Sequence, residues 1–513
     1  MRSTVDAVLQ AAVSSRAVPA VVAMAADRNG EMYEGAAGPR AAGGSDPVTA
    51  DSIFRIASMT KVICTVAALQ QRERGTLDFD APVESYCPEF AGVPVLDGFP
   101  NGEPVLRPPA THATVRQLVT HTTGLTYGFW NAAISRWQKT RGGDVFTTPM
   151  VADPGTRFEY GINTDWLGKV VEAAAGQSLD DYLTEHVFTP LGMKSTTFVR
   201  TDDQRQRTVP VHDRTPGGGW VATDIDWDPR PGYWSGGHGL YSTPRDFLQV
   251  QRMLLGEGSL AGTRVLAPKS VREAFTNQIG DLWFPAVIRT ADPVASCDYL
   301  AGPDLKWGWG LQLTTEDRPG LRSAGSGGWA GMFNTYFWVD PAAGITGAVY
   351  TQSRPFLDPD VLRTYADVER ALYASHRWPR HCSRPPARCR AGGSSTWRAA
   401  RASWRGVPPP PPPPRPVSTR TRPCWSWLRA WTPGCAGCRA TLARCRSATT
   451  ASMWRSANRA CSSPRSRPPR CASCAGSWCR VAGSRWRCGA TSPALPASPH
   501  SRPSSTGTAG PAT

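Results

Sequence analysis

The chain has 513 residues and a formal net charge of +16, which taken whole would suit a nucleic-acid or membrane partner. The charge is segregated: residues 371–513 hold 24 Arg and no Lys, Asp or Glu, so residues 1–370 hold 33 basic and 41 acidic side chains and carry a net −8, which excludes a polyanion-binding core. No apolar run reaches the roughly 18 residues of a spanning helix, and Cys64, Cys87 and Cys297 alone precede residue 371, too few for a disulfide framework and suited to a reducing, cytoplasmic setting.

From the N-terminus, Val5, Val8, Leu9 and Ala12 recur at helical spacing over 3–15, with Ser3 placed to cap the helix. Asp6 and Gln10 interrupt the apolar core that a secretion signal needs, so the stretch reads as a helix. "AVVAMAAD" and "EMYEGAAG" flank the turn "RNG" and predict a hairpin. "SMTKVICTVAALQQRERG" predicts a helix ended by Gly75, "TVRQLVTHTTGL" a short helix broken at Gly124, and "NTDWLGKVVEAAAG" a helix closed by Gly176. "SLDDYLTEHVFTPLG" predicts another. Residues 214–237, rich in Gly, Pro and Trp, predict a long surface loop. "TPRDFLQVQRMLLGEG" and "PKSVREAFTN" are helical, "WGWGLQLTT", "NTYFWVDP" and "ITGAVYTQS" are strands, and 359–375 is a final amphipathic helix. Strands at both ends and helices between them predict an α+β fold: an antiparallel sheet flanked by terminal helices, with a helical insertion and a cleft between the two parts.

The first domain is expected to span 1–376. Residues 377–513 differ in kind, with a heptaproline run at 408–414, nine Trp, eleven Cys and no carboxylate. No period of 2 or 3.6 is sustained there. A GC-rich gene read in the wrong frame yields this composition, so a misframed extension or a disordered tail is expected; the alternative is a basic tail that binds polyanions through Arg. "CAGC" (435–438) and "CASC" (471–474) have zinc-type spacing, but pairs of this kind arise by chance among so many cysteines.

Ser58-Met59-Thr60-Lys61 carries the chemistry. A serine hydroxyl needs a base to become a nucleophile. At the start of a helix, positions i and i+3 share a face, so Lys61 lies one turn from Ser58. The helix N-terminus supplies free N–H groups, that of Ser58 among them, for an oxyanion. Burial among Ile63, Cys64 and Val66 lowers the amine's pKa and makes it a usable base. By itself S-x-x-K is a common chance match, and a solvated lysine at a helix start is the plain alternative. The apolar turns that follow argue against that alternative.

"IFRIASMTKVICTVAALQQRERGTLDFDAPVESYCPEF", "TVRQLVTHTTGLTYGF", "GTRFEYGINTDWLGKVVEAAAGQSLDDYLTEHVFTPLGMKSTTF", "GGHGLYSTPRDFLQVQRMLLGEG" and "NTYFWVDP" resemble, in order, the serine β-lactamase-related superfamily. That group comprises class C β-lactamases, D-Ala-D-Ala carboxypeptidases and family VIII carboxylesterases, and the last are the most similar. The resemblance spans about residues 4–375 and leaves the tail without a counterpart. It implies that Ser58 is acylated, that Lys61 is its partner and that Tyr160 opens the second motif, with Lys61 and Tyr160 acting as one proton-handling unit. A phenol beside a cation is expected to be partly phenolate.

Two departures narrow the substrate. Lactamases and peptidases of the group carry an amide-holding Asn two residues after the tyrosine; here Ile162 stands there and Asn163 follows. The third motif is matched to "GSGGWAG" (325–331), with Ser326 at the position of the usual cation. Lacking both groups, recognition of an anionic β-lactam loses charge-assisted bonds of roughly 1.5–3 kcal/mol each, which favours uncharged esters. Gly327 and Gly328 let substrate approach the backbone, and the resemblance makes the Trp329 N–H the second oxyanion donor, with Gly328 as the alternative register. Ser326 also nearly matches a G-x-S-x-G elbow, with Ala324 in the first place and no strand-to-helix context. His121 and His238 read as structural histidines in turns. Trp234, Trp307 and Trp309 are candidates for an acyl pocket or for core.

The expectation is a serine hydrolase acting on a small-molecule carboxylic ester through an acyl-enzyme, with no metal, organic cofactor or membrane partner. An acyltransferase, a β-lactamase or D-Ala-D-Ala peptidase, and a silent binding protein of the same fold remain open.

Overall fold

A computed structural model of the chain describes residues 1–226, 233–375 and the strands Trp478–Val481 and Ser484–Arg487. The chain falls into two compact units, Met1–Cys389 and Arg390–Thr513. In the second, the two strands pair antiparallel. Otherwise the boundary expected at 376/377 and the character expected of the tail lie outside the described residues.

The first unit is built on a seven-stranded sheet. Its strands are β1 (Val21–Asp27), β2 (Glu31–Ala37), β3 (Leu305–Trp307), β4 (Gln312–Thr314), β5 (Gly327–Gly331), β6 (Thr335–Asp340) and β7 (Ile345–Tyr350), in spatial order β3-β4-β5-β6-β7-β1-β2. Every pairing is antiparallel. Strand β1 is buried along almost its whole length, as a central strand covered on both faces must be, and its sequence "VVAMAAD" accordingly does not alternate.

Successive strand residues point to opposite faces. Phe337 meets Phe247 of a helix at Pro244–Leu255 (ring centroids 5.1 Å apart), while Trp338 meets Tyr365 (5.7 Å) and Tyr373 (6.5 Å) of the final helix, Pro359–Ser375. The two helices therefore cover opposite faces. The first helix, α1 (Arg2–Ser14), joins the final helix and β2. It starts one residue earlier than expected, so Ser3 lies in its first turn and makes no cap.

The helical insertion contains α2 (Thr60–Arg74) and α3 (Asn163–Ala175), which pack together. Both stop where a glycine takes left-handed φ, Gly75 at 76° and Gly176 at 71°. Thr60 to Gln71 of α2 are all buried, so it is a core helix and its lysine is buried with it.

Two expectations are corrected. "WGWGLQLTT" is not one strand but the hairpin β3–β4, because a Cβ on Gly308 would sit 1.9 Å from the Ala274 carbonyl and Gly310 turns the chain with φ 70°. The stretch from 214 is not simply loop: His212–Arg214 pairs with Trp220–Ala222, and also runs parallel to Ser353–Arg354.

Candidate active site

The site begins where strand becomes helix. Phe54–Arg55 pairs with Tyr241–Ser242, and the chain then makes a single 3₁₀ turn at Ala57–Met59 before α2 starts at Thr60. Ala57 has φ 44°, in the left-handed region that a residue with a side chain enters at a cost of roughly 1–2 kcal/mol. The strain sits directly before Ser58 and swings its hydroxyl over the first turn of α2. On the other side, β5 ends at Gly331, where a Cβ would lie 2.3 Å from the Ile56 carbonyl. Only glycine lets the strand end close against this turn.

Lys61 is 1 % exposed, and its Nζ has three partners: the Gly237 carbonyl at 2.7 Å, the Tyr127 hydroxyl at 2.9 Å and Ser58 Oγ at 3.3 Å. Burial lowers its pKa to about 8, opposed by the negative field of Asp165. The Tyr160 hydroxyl hydrogen-bonds Ser58 and accepts the Trp329 indole N–H at 2.7 Å. Burial is the largest influence on this phenol and raises it above its usual value, and the bonds to Ser58 and Trp329 only partly oppose that. The phenolate expected beside a cation is thus corrected: desolvation outweighs charge, and Tyr160 is a protonated phenol at neutral pH.

Ser58, Lys61, Tyr160 and Trp329 come together. Trp329 does so through its indole, which packs 4.7 Å from the Tyr160 ring and edge-on to Trp307 at 4.8 Å. Ser326, Gly327 and Gly328 lead away from this point along β5. Ser326 precedes Trp329 by three residues, about 10 Å of strand. It is fully buried, its carbonyl accepts the Thr314 N–H at 3.0 Å, and its hydroxyl reaches none of the three catalytic candidates. The side chain facing Tyr160 from the sheet is therefore Trp329, an uncharged donor. Trp309 is not brought to the site either: it packs edge-on to Phe79 at 5.1 Å under the guanidinium of Arg116 at 5.2 Å. Trp234 stacks near Phe198, and Trp307 alone of the three tryptophans reaches Tyr160 and Trp329.

Two neighbouring polar side chains, His121 and Asn163, are engaged with each other inside the fold. His121 is buried, its ring lies 4.7 Å from that of Tyr160, and Asn163 Nδ2 sits 3.0 Å from its Nδ1. Burial, aided by Lys61, holds the imidazole well below its usual pKa and hence neutral. The Asn163 amide also donates to the Leu125 carbonyl at 2.9 Å and accepts from the Thr123 hydroxyl at 2.5 Å, so it is engaged inside the fold. A cavity of about 390 Å³ opens beside Tyr160, walled by Thr126, Trp130, Phe158, Pro285 and Ile288. Among the described residues, no three His, Cys, Asp or Glu side chains converge where a metal could bind.

Sequence reasoning missed Tyr127 and Gly237 as partners of Lys61. Tyr127 stands inside "THTTGLTYGF", where nothing local marks it out. Gly237 acts through a backbone carbonyl, which no residue type announces.

Comparison with known proteins agrees with this architecture. The sequence model of the Beta-lactamase family matches residues 5–372. The chain is 30% identical over 382 residues to lovastatin esterase of Penicillium rubens, covering 70% of this chain and 94% of that protein. It is 31% identical over 396 residues to monacolin J acid methylbutanoyltransferase of Aspergillus terreus, covering 71% and 94%. The solved structure of simvastatin synthase (LovD) from Aspergillus terreus superposes with a TM-score of 0.64 at 29% identity, over 73% of this chain and 98% of that one. An antiparallel sheet with its helical insertion, a family match across nearly all of the first unit, and relatives that are esterase and acyltransferase enzymes lead to one statement: the chain belongs to the Beta-lactamase family.

Proposed function

We propose that the chain is a cytoplasmic serine hydrolase that cleaves uncharged carboxylic esters through an acyl-enzyme on Ser58, with residues 1–376 as the whole catalytic unit. One observation carries this reading: the partner set of Lys61. A neutral amine has two N–H groups and one lone pair. The Gly237 carbonyl can only accept, and the Tyr127 oxygen takes the second N–H, which leaves the lone pair for the Ser58 O–H. A pKa near 8 makes that neutral form available close to physiological pH.

Ser58 Oγ attacks the ester carbonyl and its proton passes to Lys61. The carbonyl oxygen becomes an oxyanion, met by the Ser58 N–H. The Trp329 N–H expected as the second donor faces β6, where Trp329 pairs with Phe337, and Trp329 serves the site through its indole instead. Collapse breaks the ester C–O bond. The leaving alkoxide takes the Tyr160 proton, and Lys61 restores it. Water then repeats the sequence on the acyl-enzyme, releasing the acid and the free serine. The site meets the substrate with a tryptophan where a cation would favour an anionic β-lactam, and the Asn163 amide is already occupied, which supports neutral esters. Three free cysteines among the described residues support a reducing compartment.

The relatives named as acyltransferases favour one second reading, in which an alcohol replaces water in the last step. Product analysis with p-nitrophenyl butyrate and an added alcohol separates the two: free butyrate marks the hydrolase, a new ester the transferase. For the reading as a whole, intact mass after a fluorophosphonate probe is expected to rise by one adduct in the wild type and not in Ser58→Ala. An adduct on the variant excludes Ser58.

A further inference from the structure

Asp165 has no part in the steps above, yet it is the carboxylate set beneath them. It lies in the first turn of α3 and is wholly buried. Its Oδ1 accepts the Tyr233 hydroxyl at 2.5 Å, the Ser235 hydroxyl at 2.6 Å and the Gly237 N–H at 3.3 Å, with His238 Nδ1 at 3.6 Å. Its Oδ2 is buried with no hydrogen-bond partner, and a Cβ on Gly237 would lie 2.3 Å from it. The preceding glycine is as tightly held: a Cβ on Gly236 would meet the Thr164 carbonyl at 2.7 Å and Cys64 Sγ at 2.8 Å. The loop 235–237 is thus pressed between α2 and α3 and tied by Asp165. Its next free group, the Gly237 carbonyl, is the closest partner of Lys61 Nζ.

We propose that Asp165 is a positioning residue for Lys61: it fixes the Gly237 carbonyl that aims the amine at Ser58, and its buried charge supports the ammonium that forms when Ser58 gives up its proton. The proposal rests on Lys61 being the base. A buried carboxylate with an unpaired oxygen is costly unless it serves a charge elsewhere, and Lys61 is the cation whose field it enters. The other titratable groups around Lys61 are Cys64 on its own helix, His121, Tyr127 and Tyr160. Asp165 itself is faced by Tyr233 and His238.

The test is the pH dependence of kcat/KM for p-nitrophenyl butyrate. Asp165 favours the ammonium, so Asp165→Asn is expected to move the acid limb to lower pH by about one unit, because the amine loses its counter-charge. It is also expected to lower kcat by about tenfold or more. Loss of activity with the limb in its wild-type place assigns Asp165 to structure alone and overturns the proposal. His238→Gln keeps the Asp165 charge and leaves the limb in place; a limb that moves with this variant belongs to His238, and the proposal falls. If Asp165→Asn does not fold, Ser235→Ala removes one tether and keeps the charge: kcat is expected to fall several-fold at unchanged KM and Tm, and an unchanged kcat overturns the positioning role. A wild type with no acid limb, or a Lys61→Met enzyme that is still fully active, removes the base assignment itself and is distinguishable from either outcome.

Discussion

Lys61 places an ionisable residue where charge is disfavoured, and two consequences follow with opposite meanings. Its pKa in the folded protein, about 8, lies below the ordinary 10.5. Between those values the unfolded chain binds the extra proton, so the lysine's contribution to stability grows as pH rises through that window and is smallest below it. Activity follows the neutral amine: kcat/KM is expected to rise about tenfold per pH unit below the limb and to level above it. Lys61→Met removes the base but keeps an unbranched apolar stem, so acylation by the fluorophosphonate is expected to slow by about 10²–10⁴ while Tm stays within a few degrees. A Tm collapse would make Lys61 a packing residue. The sequence showed this residue and its two main companions because Ser58 and Lys61 are a local pair and Tyr160 stands in a motif. It could not show Tyr127 or Gly237, which reach Lys61 from elsewhere in the chain.

At the scale of elements, strand β5 decides how the sheet meets the nucleophile. Its sequence "GGWAG" has no alternation from which to read a register. The sequence therefore points to Ser326 at the position facing Tyr160, where the structure has Trp329, three residues on. The helices were legible because their ends are marked, by Gly75 and Gly176, and because their apolar faces recur at the right period. The hairpin β3–β4 was not, since its turn hides inside a run of Trp and Gly that reads as continuous strand. Gly331 is the point at which the strand is most sensitive. Gly331→Ala forces a methyl to within 2.3 Å of the Ile56 carbonyl unless the strand or the turn moves. We expect a loss of about 1–3 kcal/mol in urea denaturation and a larger relative loss of kcat, because the displaced turn carries Ser58. Wild-type activity in this variant would show that β5 and the turn are not coupled.

For the whole molecule, the opposed charges of the two parts of the sequence separate what the chain does from what its composition suggests. The family match ends at residue 372, three residues before the final helix ends. A chain stopped after residue 376 is expected to stay soluble and to hydrolyse p-nitrophenyl butyrate within about twofold of the full-length rate, since a domain with its own core folds alone. An inactive or insoluble product would give residues 377–513 a part in the enzyme.

The order of strands in the sheet also constrains how this protein is made. Strand β1 lies between β2 and β7, so Val22 pairs with Tyr350 and Asp27 with Ile345. The apolar row Val21–Ala26 leaves the ribosome early, but the strand that shields it is translated more than three hundred residues later. For tens of seconds of synthesis the nascent polypeptide carries an unpaired, aggregation-prone edge. A premature stop anywhere before β7 yields not a smaller enzyme but a sheet without its closing strand.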